Sequence, residues 1–316
     1  MPAIITRGAM SAQGFGYGAA ASGIPGDGTK GIFALGCAST TRNKYTYATC
    51  SSTAAGVAVS SVASLGGSAA GNSTRGIFAL GHNCTGCAST TRNKYTYACC
   101  SSTACGVASS SAASYTGAAA GNSTRGIFAL GCVSCSYSAI RNKYTYATCS
   151  STASGVAASS CVSAGGSAAG NSTRGIFALG TCTTTRNKYT YACCSSTASG
   201  VAASSAASFV GSAAGNSTRG IFALGKCLAT RNKYTYATCS STAAGVASSS
   251  ATSNSGSATG NSTRGIFALG SACFSRTTIR NKYTYACCSS TAVGVAPSSA
   301  PSYGGSAASW AVCVNV

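Results

Sequence analysis

The reactive side chains of this chain are few in kind and uneven in number. Its 316 residues contain 20 cysteines, one histidine (His82) and one acidic residue (Asp27). Paired carboxylates, a Ser-His-Asp triad and a carboxylate cage for Mg²⁺ or Ca²⁺ all need residues that are missing. The expectation is a non-enzymatic protein with no cofactor. Cysteine carries what chemistry there is. An even total suits disulfides in an oxidising setting, with buried free thiols as the alternative. Two CxxC pairs, Cys84/Cys87 and Cys132/Cys135, would offer four thiolates to zinc if adjacent loops met.

These cysteines sit in an internal repeat, and the repeat dictates how they are positioned. GIFALG begins at residues 31, 76, 126, 175, 220 and 265, and RNKYTYA begins at 42, 92, 141, 186, 231 and 280. From RNKYTYA to the next GIFALG the step is always 34 residues, whereas the return step is 11, 16, 15, 11, 11 or 15. All length variation therefore falls in one segment. Each repeat carries a cysteine after YTYA-x, at Cys50, Cys100, Cys149, Cys194, Cys239 and Cys288. We expect these six to be structural, bridging neighbouring repeats. Alternate repeats add a second cysteine beside them (Cys99, Cys193, Cys287), a two-repeat superperiod.

No apolar stripe of 3.6-residue period runs through the unit, and Gly and β-branched residues recur. We place strand A on 31–36, strand B on 42–50, strand C on 56–64 and strand D on 67–71, with SSTA and GNST as turns. In strand B, Tyr45 and Tyr47 share one face and Lys44 and Thr46 the other. Four short strands in a 45-residue unit predict an all-β fold, a β-propeller of six blades, or seven if both ends pair. A β-solenoid is the alternative. The organisation read from this is a Gly/Ala-rich lead or attachment segment over 1–30, the repeat domain over 31–308 and a closing strand over 309–316. No run of 18 apolar residues is present, so no membrane-spanning helix is expected.

In an up-and-down sheet, loops AB and CD share one edge. Loop AB holds all the length variation, and the CD dipeptides differ in every repeat: Leu65-Gly66, Tyr115-Thr116, Ala164-Gly165, Phe209-Val210, Asn254-Ser255 and Tyr303-Gly304. Loops on a rigid scaffold are where binding usually resides. The candidate ligand-binding residues are His82, Asn83, Tyr115, Tyr137, Phe209, Lys226, Phe274, Arg276 and Tyr303. A surface glycan or a protein is the expected partner.

The net charge of +20 reflects 21 basic residues and a near absence of acids. Eighteen of the 21 belong to the repeat: the Arg42, Lys44 and Arg75 positions, with Lys30 standing in for the first Arg. We expect mostly structural cations lying on neighbouring tyrosines. Attraction to polyanions is the alternative, and specific nucleic-acid readout is disfavoured because no recognisable reader module is present. Asn72-Ser-Thr and its copies match the N-glycosylation pattern but read better as turns. The N-terminus shows no Sec signal.

The combination GNSTRGIFALG and TRNKYTYA, spanning 29–308, resembles highly repetitive propeller-like proteins of bacteria and their phages. The opening Met1-Pro-Ala-Ile-Ile-Thr-Arg-Gly-Ala resembles the start of phage structural or tail proteins. Many such sequences carry Asp where this chain has the six repeat cysteines. The resemblance implies a surface or virion role, with an extracellular or virion location and neighbours in a virion or filament, homo-oligomers included. It implies no defined activity.

Overall fold

A computed structural model describes residues 27–36, 39–82, 88–181, 183–272 and 275–311. Its described residues form no helix and are built on six four-stranded antiparallel sheets. The second sheet shows the plan. Strand D (Ser68–Gly71) pairs with A (Arg75–Ala79), A with B (Arg92–Thr96), and B with C (Ser101–Thr103). Each sheet thus takes D from one repeat and A, B and C from the next. In the first sheet, the strand beside A (Asp27–Ala34) comes from the far end of the chain, Ser306–Ala311, with Ile32 opposite Ala308 and Ala34 opposite Ser306. This last strand is strand D of the sixth repeat, extended. The strand that joins the first sheet thus runs over Ser306–Ala311 and overlaps the expected closing segment at 309–311. Residues 1–26 and 312–316 lie outside the described residues.

GIFALG reads as continuously apolar because both faces of strand A are covered, and alternate side chains serve different neighbours. Ile127 and Ala129 join Phe177, Leu179, Tyr189 and Tyr191 of the following sheet in one buried cluster. The pattern repeats at every junction, including Ile266 and Ala268 of the sixth sheet against Phe33, Leu35, Tyr45 and Tyr47 of the first. Small residues in strand D let neighbouring D strands come into contact, the sixth with the first included.

Strand C departs from expectation. After strand B the chain turns through 47–50, with Cys50 in the left-handed region (φ 52°), and returns as Ser51–Thr53, opposite Lys44–Thr46. The Ser/Thr run taken for a turn is the strand. The stretch 56–64 instead connects one sheet to the next. Its start packs on the next sheet, with Val57 buried beside Phe78 and Tyr95 and Ala58 against the same cluster, but its amides bond elsewhere, Ala58 N–H to Cys100 O (3.2 Å) and Ser60 N–H to Thr40 O (2.9 Å).

Candidate functional site

Two kinds of site emerge, one uniform and buried, the other variable and open. The uniform one is the contact between sheets. Arg42 is fully buried, and its guanidinium lies over Phe78 (4.6 Å) and Tyr95 (5.6 Å) of the next sheet. It donates to Ser102 Oγ (2.6 Å), Asn93 Oδ1 (3.3 Å) and Val59 O (3.2 Å). Burial pushes it down to about 10, so it remains charged at neutral pH. It has no carboxylate partner; carbonyl and hydroxyl dipoles and two aromatic faces replace one. The same group recurs at Arg92, Arg141, Arg186, Arg231 and Arg280, the last over Phe33 (4.4 Å) of the first sheet. The second repeat arginine is half-buried. Arg75 Nη1 donates to Tyr146 O of the next sheet (2.9 Å), and Arg264 does so to Tyr47 O (2.9 Å). Most repeat arginines therefore serve as contacts between sheets, as the cation-on-tyrosine expectation required.

The six repeat cysteines, Cys50, Cys100, Cys149, Cys194, Cys239 and Cys288, stand at the BC turns. Each is a free thiol, which corrects the disulfide expectation. Cys50, for example, donates to Tyr47 O within its own turn (3.8 Å). Arg75 in turn donates to Cys149 Sγ of the next sheet (3.7 Å). Each thiol thus faces its own turn, and those of Cys149, Cys194 and Cys239 also accept from an arginine of the preceding sheet. The added cysteines Cys99, Cys193 and Cys287 are exposed. Hydrogen bonds with Ser101, Ser195 and Ser289 hold their thiols below the ordinary cysteine range.

Of the four cysteines in the zinc alternative, only Cys132 and Cys135 fall among the described residues. Cys132 and Cys135 are both free thiols, and they differ in surroundings. Cys132 is buried at the start of a short strand, Cys132–Val133, where its sulfur lies 3.7 Å from Thr116 Oγ1. Cys135 is exposed, on the turn that leads into the strand Ser136–Tyr137, with its backbone in the left-handed region (φ 62°). The hairpin thus turns one thiol toward the CD dipeptide and the other to solvent. Cys84 and Cys87 lie outside the described residues, and no group of three or more metal-ligating side chains occurs among those described. The Asn of GNST is engaged from both ends. Asn72 Oδ1 accepts from Thr74 N–H (3.0 Å) and Arg75 N–H (3.1 Å), while Nδ2 donates to Ser123 O of the next sheet (2.9 Å). It is a turn and a tie, as its composition suggested.

The variable site lies at the opposite edge of the sheets. Each CD dipeptide bridges to the residue just before or at the start of an AB loop: Leu65 to His82, Tyr115 to Cys132, Ala164 to Gly180, Phe209 to Gly225, Asn254 to Ser271 and Tyr303 to Gly36. The two diversified segments thus meet, as the meander implied. They surround a pit of about 260 Å³ lined by Leu65, His82, Tyr115, Phe209, Tyr303 and the backbone beside them. The second residues of the dipeptides are all left-handed (φ 48–66°), including Thr116 and Val210, whose β-branched side chains are costly there. What holds them is a chain of bonds between repeats: Gly66 N–H to Gly304 O, Thr116 to Gly66, Gly165 to Thr116, Ser255 to Val210 and Gly304 to Ser255, all 2.7–2.9 Å.

Among the predicted binding residues, His82, Tyr115, Phe209 and Tyr303 line the pit. His82 packs on Tyr115 with ring centroids 5.0 Å apart. Tyr115 is raised above the ordinary tyrosine range, chiefly by its hydrogen bond with the Cys132 thiol. Arg276 is exposed, with its guanidinium 5.8 Å from the Tyr303 ring centroid. Exposed Lys226 donates its backbone N–H to Phe209 O (3.0 Å). Tyr137 is 53% exposed and pairs with Cys132, beside Tyr115. Asn83 and Phe274 lie outside the described residues. The candidate set omitted Leu65 and the bonded backbone of Thr116, Val210 and Ser255. Their signal was variation between repeats at the dipeptide; the left-handed backbone had none, because half of those positions are not Gly. No known family model matches the chain, and a search of curated proteins finds no match.

Proposed function

We propose that the chain is a six-bladed β-propeller, a non-enzymatic recognition component that binds a surface glycan or protein through its variable face. The propeller reading, over a solenoid, is supported by contacts joining the last repeat to the first: the Ser306–Ala311 strand on strand A, and Arg280 on Phe33. In an open solenoid, terminal units do not meet. The resemblance to bacterial and phage repeat proteins adds an address outside the cell, on a virion or a bacterial exterior.

The observation that carries the recognition reading is convergence. The six dipeptides that differ between repeats surround one pit, whereas the turns at the other edge are nearly identical. A scaffold that repeats everything except one rim presents that rim. The polyanion reading loses ground, because most repeat arginines are buried or bonded between sheets. A second reading, a building block of a filament or virion lattice, is favoured by the uniform face with exposed Cys99, Cys193 and Cys287. One experiment separates the two. The Tyr115→Ala/Phe209→Ala/Tyr303→Ala variant is compared with the parent on an array of surface glycans and surface proteins, and by sedimentation. Recognition predicts binding weakened roughly tenfold or more with unchanged assembly, since aromatic anchors dominate such interfaces. Equal binding by variant and parent sinks the reading, and lost assembly favours the lattice.

A further inference from the structure

We propose that the pit takes one flat apolar group whose exposed end is anionic, such as an aryl carboxylate or sulfonate. The inference rests on the recognition reading and specifies what that face holds.

The walls come first. Tyr115, Phe209 and Tyr303 belong to alternate repeats, with Leu65, Ala164 and Asn254 at the intervening positions. Rings from alternate repeats thus wall a pit of about 260 Å³, the scale of a single fused ring system, with Leu65, Gly165 and Ser255 of the intervening dipeptides between them. His82 extends the aromatic wall against Tyr115. Aromatic faces reward a flat apolar body.

Next, part of the backbone that lines the pit is already committed. Five amides of the left-handed positions donate to the carbonyls of neighbouring repeats. The Thr116 hydroxyl likewise donates to Tyr115 O (2.7 Å). A polyhydroxylated ligand would find these amide donors already used, and each unpaired buried hydroxyl costs affinity. That argues against a sugar ring in the pit itself.

The charge around the pit selects the head group. The described lining contains no charged side chain. Two exposed cations stand beside it, Arg276 over Tyr303 and Lys226 bonded through its backbone to Phe209. With one carboxylate side chain in 316 residues and a net charge of +20, the field around the pit favours anions. An anionic end placed at the rim meets these cations without being buried. Finally, Thr116 and Val210 are held in a conformation that β-branched residues avoid. Strain of this kind persists only where surrounding structure imposes it, and it gathers at ligand sites.

The test is a fluorescence titration of the full chain with 8-anilino-1-naphthalenesulfonate, beside its neutral counterpart N-phenyl-1-naphthylamine. The proposal predicts saturable one-to-one binding of the sulfonate that weakens with added salt. The Tyr115→Ala/Phe209→Ala/Tyr303→Ala variant should bind both probes roughly tenfold more weakly. Arg276→Gln/Lys226→Gln should weaken the sulfonate about three- to tenfold and leave the neutral probe unchanged. Leu65→Trp, which fills the pit, should block both probes and covers the case in which the triple variant fails to fold. Sulfonate binding that survives both pit variants overturns the site. Equal response of the two probes to the rim variant overturns the anionic head. If the parent ignores both probes yet still loses its array partner in the triple variant, this inference falls and the recognition reading stands. If that loss is absent as well, both fall.

Discussion

The contacts between sheets and the rim of the pit are built from the same repeat under opposite rules. Between sheets, six arginines share one geometry, with guanidinium-to-Phe distances of 4.4–4.7 Å and a Ser hydroxyl at 2.6–2.7 Å. At the rim, corresponding positions hold Leu, Tyr, Ala, Phe, Asn and Tyr. The difference teaches where sequence freedom resides. A close-packed junction with a buried charge admits one solution and repeats it. A loop end that faces solvent admits many. Uniformity marks what the fold needs, and divergence marks what the fold leaves free for binding.

The strongest way to break that contrast is to remove one buried guanidinium. Arg141 donates to Ser196 Oγ (2.6 Å), Asn187 Oδ1 (3.2 Å) and Ala158 O (3.2 Å), and stacks on Phe177 (4.6 Å). Arg141→Met keeps the apolar stem but leaves those acceptors without their charged donor. The expected loss is on the order of 3 kcal/mol, read from the urea midpoint. Arg141→Lys should lose nearly as much, because one ammonium cannot serve a fork and two ring faces at once. A change below about 1 kcal/mol would show that the arginines are not what fixes the junction.

A smaller effect separates backbone need from packing need. Gly155 and Gly180 have similar backbones, with φ of +69° and +74°. A Cβ at Gly155 meets nothing within 4 Å, whereas one at Gly180 would sit 2.1 Å from Ala164 O. Gly155→Ala should cost about 1 kcal/mol, the penalty of the left-handed backbone alone. Gly180→Ala should cost roughly 2 kcal/mol more and loosen the loop it anchors, so its unfolding midpoint should fall further. Equal costs would mean that the crossing of the CD dipeptide over strand A is not tight.

Much of this was legible in the sequence. The period gave six units, the apolar runs gave strands A and B, and the meander put loops AB and CD on one edge. Lys and Arg at fixed offsets from Tyr pointed to stacked cations. Strand C was missed because its turn uses a left-handed Cys50, where turn signals normally come from Gly or Asn, and because Ser51–Thr53 has a loop's composition. The stretch taken for strand C alternates too little to show which face it would bury. Cysteine count suggested bridges, but a count carries no geometry. Once the BC turns are placed, each repeat thiol faces its own turn carbonyl. The CxxC spacing of Cys132 and Cys135 likewise says nothing of burial, since a short hairpin turns one thiol inward and leaves the other exposed. The superperiod in the extra cysteines was visible, and its match to the rings at 115, 209 and 303 acquired meaning only when those rings met at one pit.

The smallest expected effect is a null one, and it tests the charge side of the comparison. Acid unfolding mostly reflects carboxylates that are paired in the folded state and must take up protons. Here the chain has one side-chain carboxyl, Asp27, and the buried guanidiniums lean on carbonyls, hydroxyls and rings instead. Nothing in those junctions titrates between about pH 3 and 6, so the urea midpoint should be flat across that window. At the alkaline end, burial raises Tyr45, Tyr95, Tyr144, Tyr189, Tyr234 and Tyr283 above the ordinary tyrosine value. A raised folded value means that the unfolded chain loses its phenol protons first. The stability from these tyrosines is whole below about pH 10 and falls as pH rises beyond it. The arginines, lowered to about 10, pull the other way, but guanidinium resists deprotonation, so the tyrosine loss should prevail. A marked loss of stability on acidification would reveal a carboxylate contact within the junctions and would refute the account of how six cations are buried without counter-ions.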